Sequence, residues 1–209
     1  MTRRAPAVVF AAAAGAYLLG LWLQAPALRV AVKPFPVLAL AAWLLTGKSG
    51  RETYARRIAA GLGLSALGDV LLEFPAGFVP GLGAFLLAHL AYAAAFIVRS
   101  RAWQPWRALP FAVYGTAYLA FVSAGLGALA APVTAYVIAI MAMLWRAAAC
   151  LGVDPRARCG LLGALLFACS DSLIGLDRFH APIDGVRYAI ILLYWAGQLG
   201  IAMSARPRV

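Results

Sequence analysis

Long apolar runs, separated by short breaks of charged and turn-forming residues, occupy the whole 209-residue chain. Read between those breaks, the pattern predicts eight helices, at approximately 6–23, 30–46, 55–74, 78–98, 107–125, 129–149, 159–176 and 186–204. Each is close to the ~20 apolar residues that cross a bilayer. The connections are short, so sequence neighbours are expected to pack as antiparallel pairs. No internal repeat, low-complexity tract or second domain interrupts the series. The expected fold is all-α, a polytopic membrane helix bundle of about eight transmembrane helices, forming a single integral membrane domain over 1–209.

The basic residues orient this series. With the N-terminus in the cytoplasm, one side of the membrane collects Arg3, Arg4, Lys48, Arg51, Arg56, Arg57, Arg99, Arg101, Arg107, Arg146, Arg156, Arg158, Arg206 and Arg208. The other side keeps Arg29, Lys33, Arg178 and Arg187. Fourteen against four accounts for all eighteen Lys and Arg. The positive-inside rule then favours an even number of spans with both termini cytoplasmic.

Composition supports the membrane reading. Hydrophobic residues make up 65% of the chain and charged residues 12%, against roughly 45–50% and 25% in soluble domains. There is too little polar surface to cover a soluble globule. A net charge of +11 in a soluble chain would point to nucleic acid. Here the Lys/Arg enrichment of cytoplasmic loops explains it, and no nucleic-acid partner is expected. Cys150, Cys159 and Cys169 lack metal-ligand spacing. Arg3 and Arg4, followed by an apolar run ending near Gln24-Ala25-Pro26-Ala27, have the outline of a signal peptide. The run is long enough to span, however, so a retained first helix is expected. The glycine clusters Gly61/Gly63 and Gly77/Gly81/Gly83 are read as close helix packing.

Candidate chemistry rests on carboxylates inside the spans. Such a group costs at least ~2.5–3.5 kcal/mol on insertion scales and usually faces a bundle interior or wet cavity. Asp69, in the third expected span, and Asp171, in the seventh, are the two candidates. Both spans run from cytoplasm to exterior in the derived topology, so both aspartates are expected in the outer half of the membrane. Ser65 and Glu73 stand at i−4 and i+4 from Asp69 and are expected on its helix face. Lys33, followed by Pro34 and Pro36, opens the second span and is the cation expected to pair with a buried aspartate. His89 lies mid-span with Phe85 and Tyr92 on its face, and Tyr194 and Gln198 are four apart in the last span. Glu73, Asp177, Arg178, His180, Asp184 and Arg187 fall at helix ends and are expected to be solvated. A catalytic zinc site needs three protein ligands. His89 is the one histidine within an expected span, and His180 lies in a loop. No metal or other cofactor is expected.

Three segments then stand together: Gly63-Leu-Ser65-Ala-Leu-Gly68-Asp69, Gly81-Leu-Gly-Ala-Phe85-Leu-Leu-Ala-His89-Leu-Ala-Tyr92 and Gly163-Ala-Leu-Leu-Phe167-Ala-Cys-Ser170-Asp171. With Lys33-Pro34, Tyr194 and Gln198, they resemble the YhhN-like family, in order and over essentially the whole chain. The resemblance implies a lysoplasmalogenase of the bacterial inner membrane. Such an enzyme hydrolyses the vinyl ether bond of a lysophospholipid substrate, releasing a fatty aldehyde and a glycerophospho-headgroup compound. Distant relatives with alkaline-ceramidase-like chemistry, many of them zinc-dependent, carry several histidines that this sequence lacks.

The residue set suits that reaction. A vinyl ether hydrolyses by proton transfer to its β-carbon, capture of the oxocarbenium ion by water at the α-carbon, and collapse of the hemiacetal. The demands are a carboxylic acid protonated near neutral pH and a negative group to stabilise the cation, as in glycosidases. Asp69 and Asp171 are expected to fill these roles, in either assignment. Lys33, Ser65, His89, Tyr92, Ser170, Tyr194 and Gln198 are expected to bind substrate or water or to support the aspartates. The alternative is a proton-coupled transporter or channel using the same aspartates, although the chain has no inverted repeat.

Overall fold

A computed structural model describes residues 5–153 and 155–206, and every regular element among them is helical. The α-helices are α1 (Ala5–Trp22), α2 (Pro26–Val32), α3 (Phe35–Leu45), α4 (Thr53–Leu71), α5 (Phe78–Arg99), α6 (Leu109–Leu126), α7 (Ala130–Ala148), α8 (Ala157–Phe179) and α9 (Val186–Ser204). Short 3-10 turns at Lys48–Arg51, Pro75–Gly77, Pro105–Ala108 and Gly127–Leu129 precede α4, α5, α6 and α7.

The expected second span is divided in two, because Pro34 and Pro36 have no N–H to donate. The break is mild. Lys33 N still reaches Arg29 O at 3.0 Å and Leu38 N reaches Pro34 O at 3.0 Å, so Pro26–Leu45 remains one apolar stretch of 20 residues. The third expected span, α4, stops at Leu71, short of the expected residue 74. Pro75 holds Phe74 extended at φ −98° and ψ 141°, which places Glu73 in a turn and not on the helical face of Ser65 and Asp69. Between α6 and α7 the chain reverses at Gly127, whose φ of +49° suits a residue without a Cβ.

Among the described residues, six stretches are long and apolar enough to cross a membrane: Ala5–Trp22, Pro26–Leu45, Pro75–Arg99, Pro105–Ala148, Ala157–Phe179 and Val186–Ser204. The fourth, of 44 residues, contains both α6 and α7. Helix α4 has 19 residues but carries Arg56, Arg57 and Asp69. Of the basic residues that orient the chain, Arg3, Arg4 and Arg208 lie outside the described residues, as does the side chain of Lys48.

The chain divides into two compact units, 1–92 with 205–209, and 93–204. In the first, α1 packs on α2 and α3, and α3 on α4. Small residues of α4 receive rings of α5: a Cβ at Gly61 would overlap the Tyr92 ring, and one at Gly68 the Phe85 ring. The Arg206 guanidinium stands 4.0 Å from the Trp43 ring centroid. In the second unit, α8 packs on α6, α7 and α9. Arg146 is buried there and donates to the carbonyls of Ser100 and Ala102, satisfying backbone groups just beyond the end of α5.

Helices α8 and α9 meet backbone to backbone. A Cβ on Gly163 would lie 2.6 Å from Gly197 O, one on Gly197 2.8 Å from Gly163 O, and one on Gly200 2.8 Å from the Gly163 Cα. Backbone meets backbone, so no rotamer change can relieve a larger side chain. We expect Gly163→Leu to lower stability in detergent by about 1–3 kcal/mol or more. Gly63→Ala, where a Cβ would meet nothing within 4 Å, should be neutral or slightly stabilising. Thermal unfolding of the purified variants measures both, and equal melting temperatures would refute the close seam.

Candidate functional site

In the first unit, the sequence-predicted residues gather on α4, α5 and the α2–α3 junction. Asp69 is 2% exposed and Ser65 is fully buried, one turn apart on α4. The Ser65 and Tyr92 hydroxyls are 3.4 Å apart, across the seam that Gly61 and Gly68 open for the aromatic rings. His89 is completely buried on α5, and its Nδ1 lies 2.7 Å from Phe85 O. A carbonyl only accepts, so Nδ1 carries a proton.

Lys33 differs from its expected role. Its Nζ donates to Glu73 Oε1 at 2.9 Å. The same oxygen accepts from the Tyr17 hydroxyl at 3.0 Å, and Arg29 Nε donates to Oε2 at 3.1 Å. Glu73, expected to be solvated, has a side chain only 9% exposed. The turn before Pro75 carries it inward against two cations, and a lone carboxylate would not otherwise tolerate that burial. Asp69 belongs to the same electrostatic neighbourhood, since its charge acts on Tyr17. Tyr17 and Arg29 escaped sequence reading because neither departs from its surroundings: a tyrosine in an apolar helix and an arginine near a helix end are both ordinary.

In the second unit, Asp171 is part-exposed rather than buried. Its Oδ2 accepts a 2.8 Å hydrogen bond from the Tyr136 hydroxyl of α7. Tyr118 of α6 donates to Ser172 O at 3.1 Å, and the Tyr114 hydroxyl lies 2.8 Å from Ser172 Oγ. Ser172 Oγ donates to Ala168 O at 2.7 Å. Three tyrosines therefore meet the Asp171 turn of α8. The i,i+4 spacing of Tyr114 and Tyr118 was the available signal, the same spacing that singled out Tyr194 and Gln198. Ser170 faces away from this group and donates to Ile190 O of α9 at 2.9 Å. Tyr194 and Gln198 are buried on α9, with the Tyr194 ring edge-on to Phe167 at 5.3 Å. Asp177 accepts from Ile183 N at 2.8 Å, while Arg178, His180, Asp184 and Arg187 are exposed as expected.

Burial alone would push the Glu73 carboxyl up. The Lys33 charge, the hydrogen bonds from Lys33 and Tyr17, and the Arg29 charge outweigh it and hold the group below its ordinary value of 4.5. A carboxyl lowered by folding contributes stability that is complete above its unfolded value and lost as pH falls through the folded one. Glu73→Gln should therefore cost about 1–3 kcal/mol at pH 7, between the limits for exposed and fully buried pairs. The gap between wild type and variant should narrow below pH 4.5, and melting curves from pH 7 to pH 3 in detergent test this. A constant gap would mean that the ion pairs contribute nothing.

Comparison with known proteins extends this picture. The sequence profile of the YhhN family matches residues 28–205. Human lysoplasmalogenase TMEM86B is 38% identical over 177 residues, covering 83% of this chain and 74% of the relative. A lysoplasmalogenase of Mycobacterium bovis is 36% identical over 185 residues, covering 82% and 68%. Bovine lysoplasmalogenase TMEM86A is 35% identical over 199 residues, covering 88% and 82%. No solved structure matches the chain. A family match across both units, joined to helices apolar enough to cross a bilayer, makes this an integral membrane protein that belongs to the YhhN family.

Proposed function

We propose that this chain is a lysoplasmalogenase, an ether hydrolase that cleaves the vinyl ether bond of alkenyl glycerophosphocholine or glycerophosphoethanolamine. The products are a fatty aldehyde and the glycerophospho-headgroup compound. The observation that carries this reading is the 38% identity to human lysoplasmalogenase over 83% of the chain. The membrane-soluble helices suit a single-chain amphiphile, whose tail is soluble among them.

Asp69 and Asp171 are the proposed acid/base residues. One protonates the β-carbon of the alkene, and the other stabilises the oxocarbenium ion and orients the water that captures it at the α-carbon. Collapse of the hemiacetal then releases aldehyde and alcohol. The reading is supported by the near-complete burial of Asp69 and by the Tyr136 hydroxyl that orients Asp171. His89, Ser65 and Tyr92 are proposed to support Asp69. Ser170, Tyr194 and Gln198 are proposed to shape the α8–α9 wall on which Asp171 stands.

The proposed setting is one integral membrane domain of eight spans in a bacterial inner membrane, with both termini cytoplasmic. Counting α4 and separating α6 from α7 supports the number eight, and the fourteen-to-four distribution of basic residues supports the orientation.

Purified protein should release fatty aldehyde from lysoplasmenylethanolamine or lysoplasmenylcholine. Asp69→Asn and Asp171→Asn should each reduce the rate by about 10²–10⁴-fold, the usual contribution of a positioned acid or base, while the protein still elutes as a folded species. No aldehyde from wild type, with ion flux in liposomes, would replace the hydrolase by a transporter. Near-normal rates in both variants would leave the hydrolase without its aspartates.

A further inference from the structure

The cluster of Tyr17, Arg29, Lys33 and Glu73 sets two cations around one carboxylate. Its donors are only partly engaged. Arg29 meets Glu73 through Nε, and among the described residues its two terminal nitrogens make no hydrogen bond. Lys33 directs one of its three N–H donors to Glu73. Both cations stay reachable, with side chains 15% and 11% exposed. The forked end of a guanidinium beside an ammonium group is a donor set suited to phosphate oxygens.

The surroundings give the depth. Trp22 at the end of α1, Phe35 at the start of α3 and Phe74 beside Glu73 are all exposed aromatics on the segments that carry the cluster. A tryptophan at a helix end, as at Trp22, marks the level of lipid headgroups, where a long cationic side chain also rests comfortably. The cluster thus stands at headgroup depth, while Asp69 lies one turn before Glu73 on the helix side of the turn.

We propose that Arg29 and Lys33 form the phosphodiester-binding site for the lysophospholipid substrate, with Glu73 as the fixed counter-anion that holds the two cations side by side. Tyr17 anchors Glu73 through its hydroxyl without adding charge. The ligand class is a glycerophosphodiester monoanion that carries a single hydrocarbon chain. The site deepens the lysoplasmalogenase reading and rests on it for the identity of the lipid. It gives the headgroup a fixed point from which the vinyl ether, near the top of the chain, is presented toward Asp69.

The test uses binding rather than turnover, so that it is read independently of hydrolysis. The full chain in detergent is titrated with a saturated ether analogue, 1-O-alkyl-glycerophosphoethanolamine, and with its phosphate-free counterpart, 1-O-alkylglycerol. Wild type should bind the phosphodiester about tenfold or more tightly, the scale of one charge-assisted hydrogen bond. Arg29→Gln should erase most of that preference while leaving alkylglycerol affinity unchanged. Equal affinities in wild type, or an undiminished preference in the variant, would overturn the site. If Arg29→Gln does not fold, Lys33→Gln is read in the same way. If neither folds, competition on wild type decides: displacement of the alkyl phospholipid by glycerophosphoethanolamine supports the site, and no displacement overturns it. Equal displacement by inorganic phosphate would assign the cations to free anions and overturn the lipid assignment. Absence of aldehyde release beside a positive binding result would instead count against the hydrolase reading.

Discussion

Hydrocarbon offers a polar group no water, so each donor or acceptor carried into a span must be met by another part of the chain. That constraint organises both units. His89 answers it with the carbonyl one turn back, Ser172 likewise, and Ser170 by reaching the backbone of α9. Asp171 answers it with the Tyr136 hydroxyl, and Glu73, beyond the end of α4, takes the Tyr17 hydroxyl beside its two cations. A tyrosine fits this task because its ring fills apolar space while its hydroxyl donates to an anion without bringing a second charge. Polar residues in these helices are therefore met either within their own helix or across to the next one.

Helix positions were largely legible in the sequence. Span-length apolar runs leave little choice of secondary structure in a bilayer, and 186–204 is reproduced without change by α9. The misjudged places are those where local chemistry acts within an apolar run. Pro34 and Pro36 divide a stretch that hydropathy reads as continuous, and Pro75 draws in the end of α4 through the residue before it. The role of glycine was legible only in general. Gly63 and Gly163 look alike in sequence, yet one faces open space and the other the backbone of α9.

The site was legible as a set of residue types and much less as a set of partners. Asp69 and Asp171 stood out because charge is rare in these helices. Tyr136, Tyr118 and Tyr114 did not, because a tyrosine has no signature until its hydroxyl is seen to meet something. Glu73 was misjudged for a related reason. Proximity to a helix end usually means water, but here the turn folds the side chain toward Arg29 and Lys33, some forty residues earlier in the chain. Pairing over that sequence distance is a property of packing and leaves no local trace.

The glycine seam between α8 and α9 also decides where the second unit can flex. Two backbones in contact have no rotamers to switch, so α8 and α9 behave mechanically as one stiff bar. A Cβ at Gly125 of α6 would likewise overlap the Phe179 carbonyl of α8, so compliance is left to the contact of α8 with α7, where the Tyr136 hydroxyl forms a link. Asp171 rides on the bar and Tyr136 on the yielding side. Any breathing that admits a hydrocarbon chain between those helices is therefore felt as slack in the Tyr136 hydrogen bond to the Asp171 carboxylate.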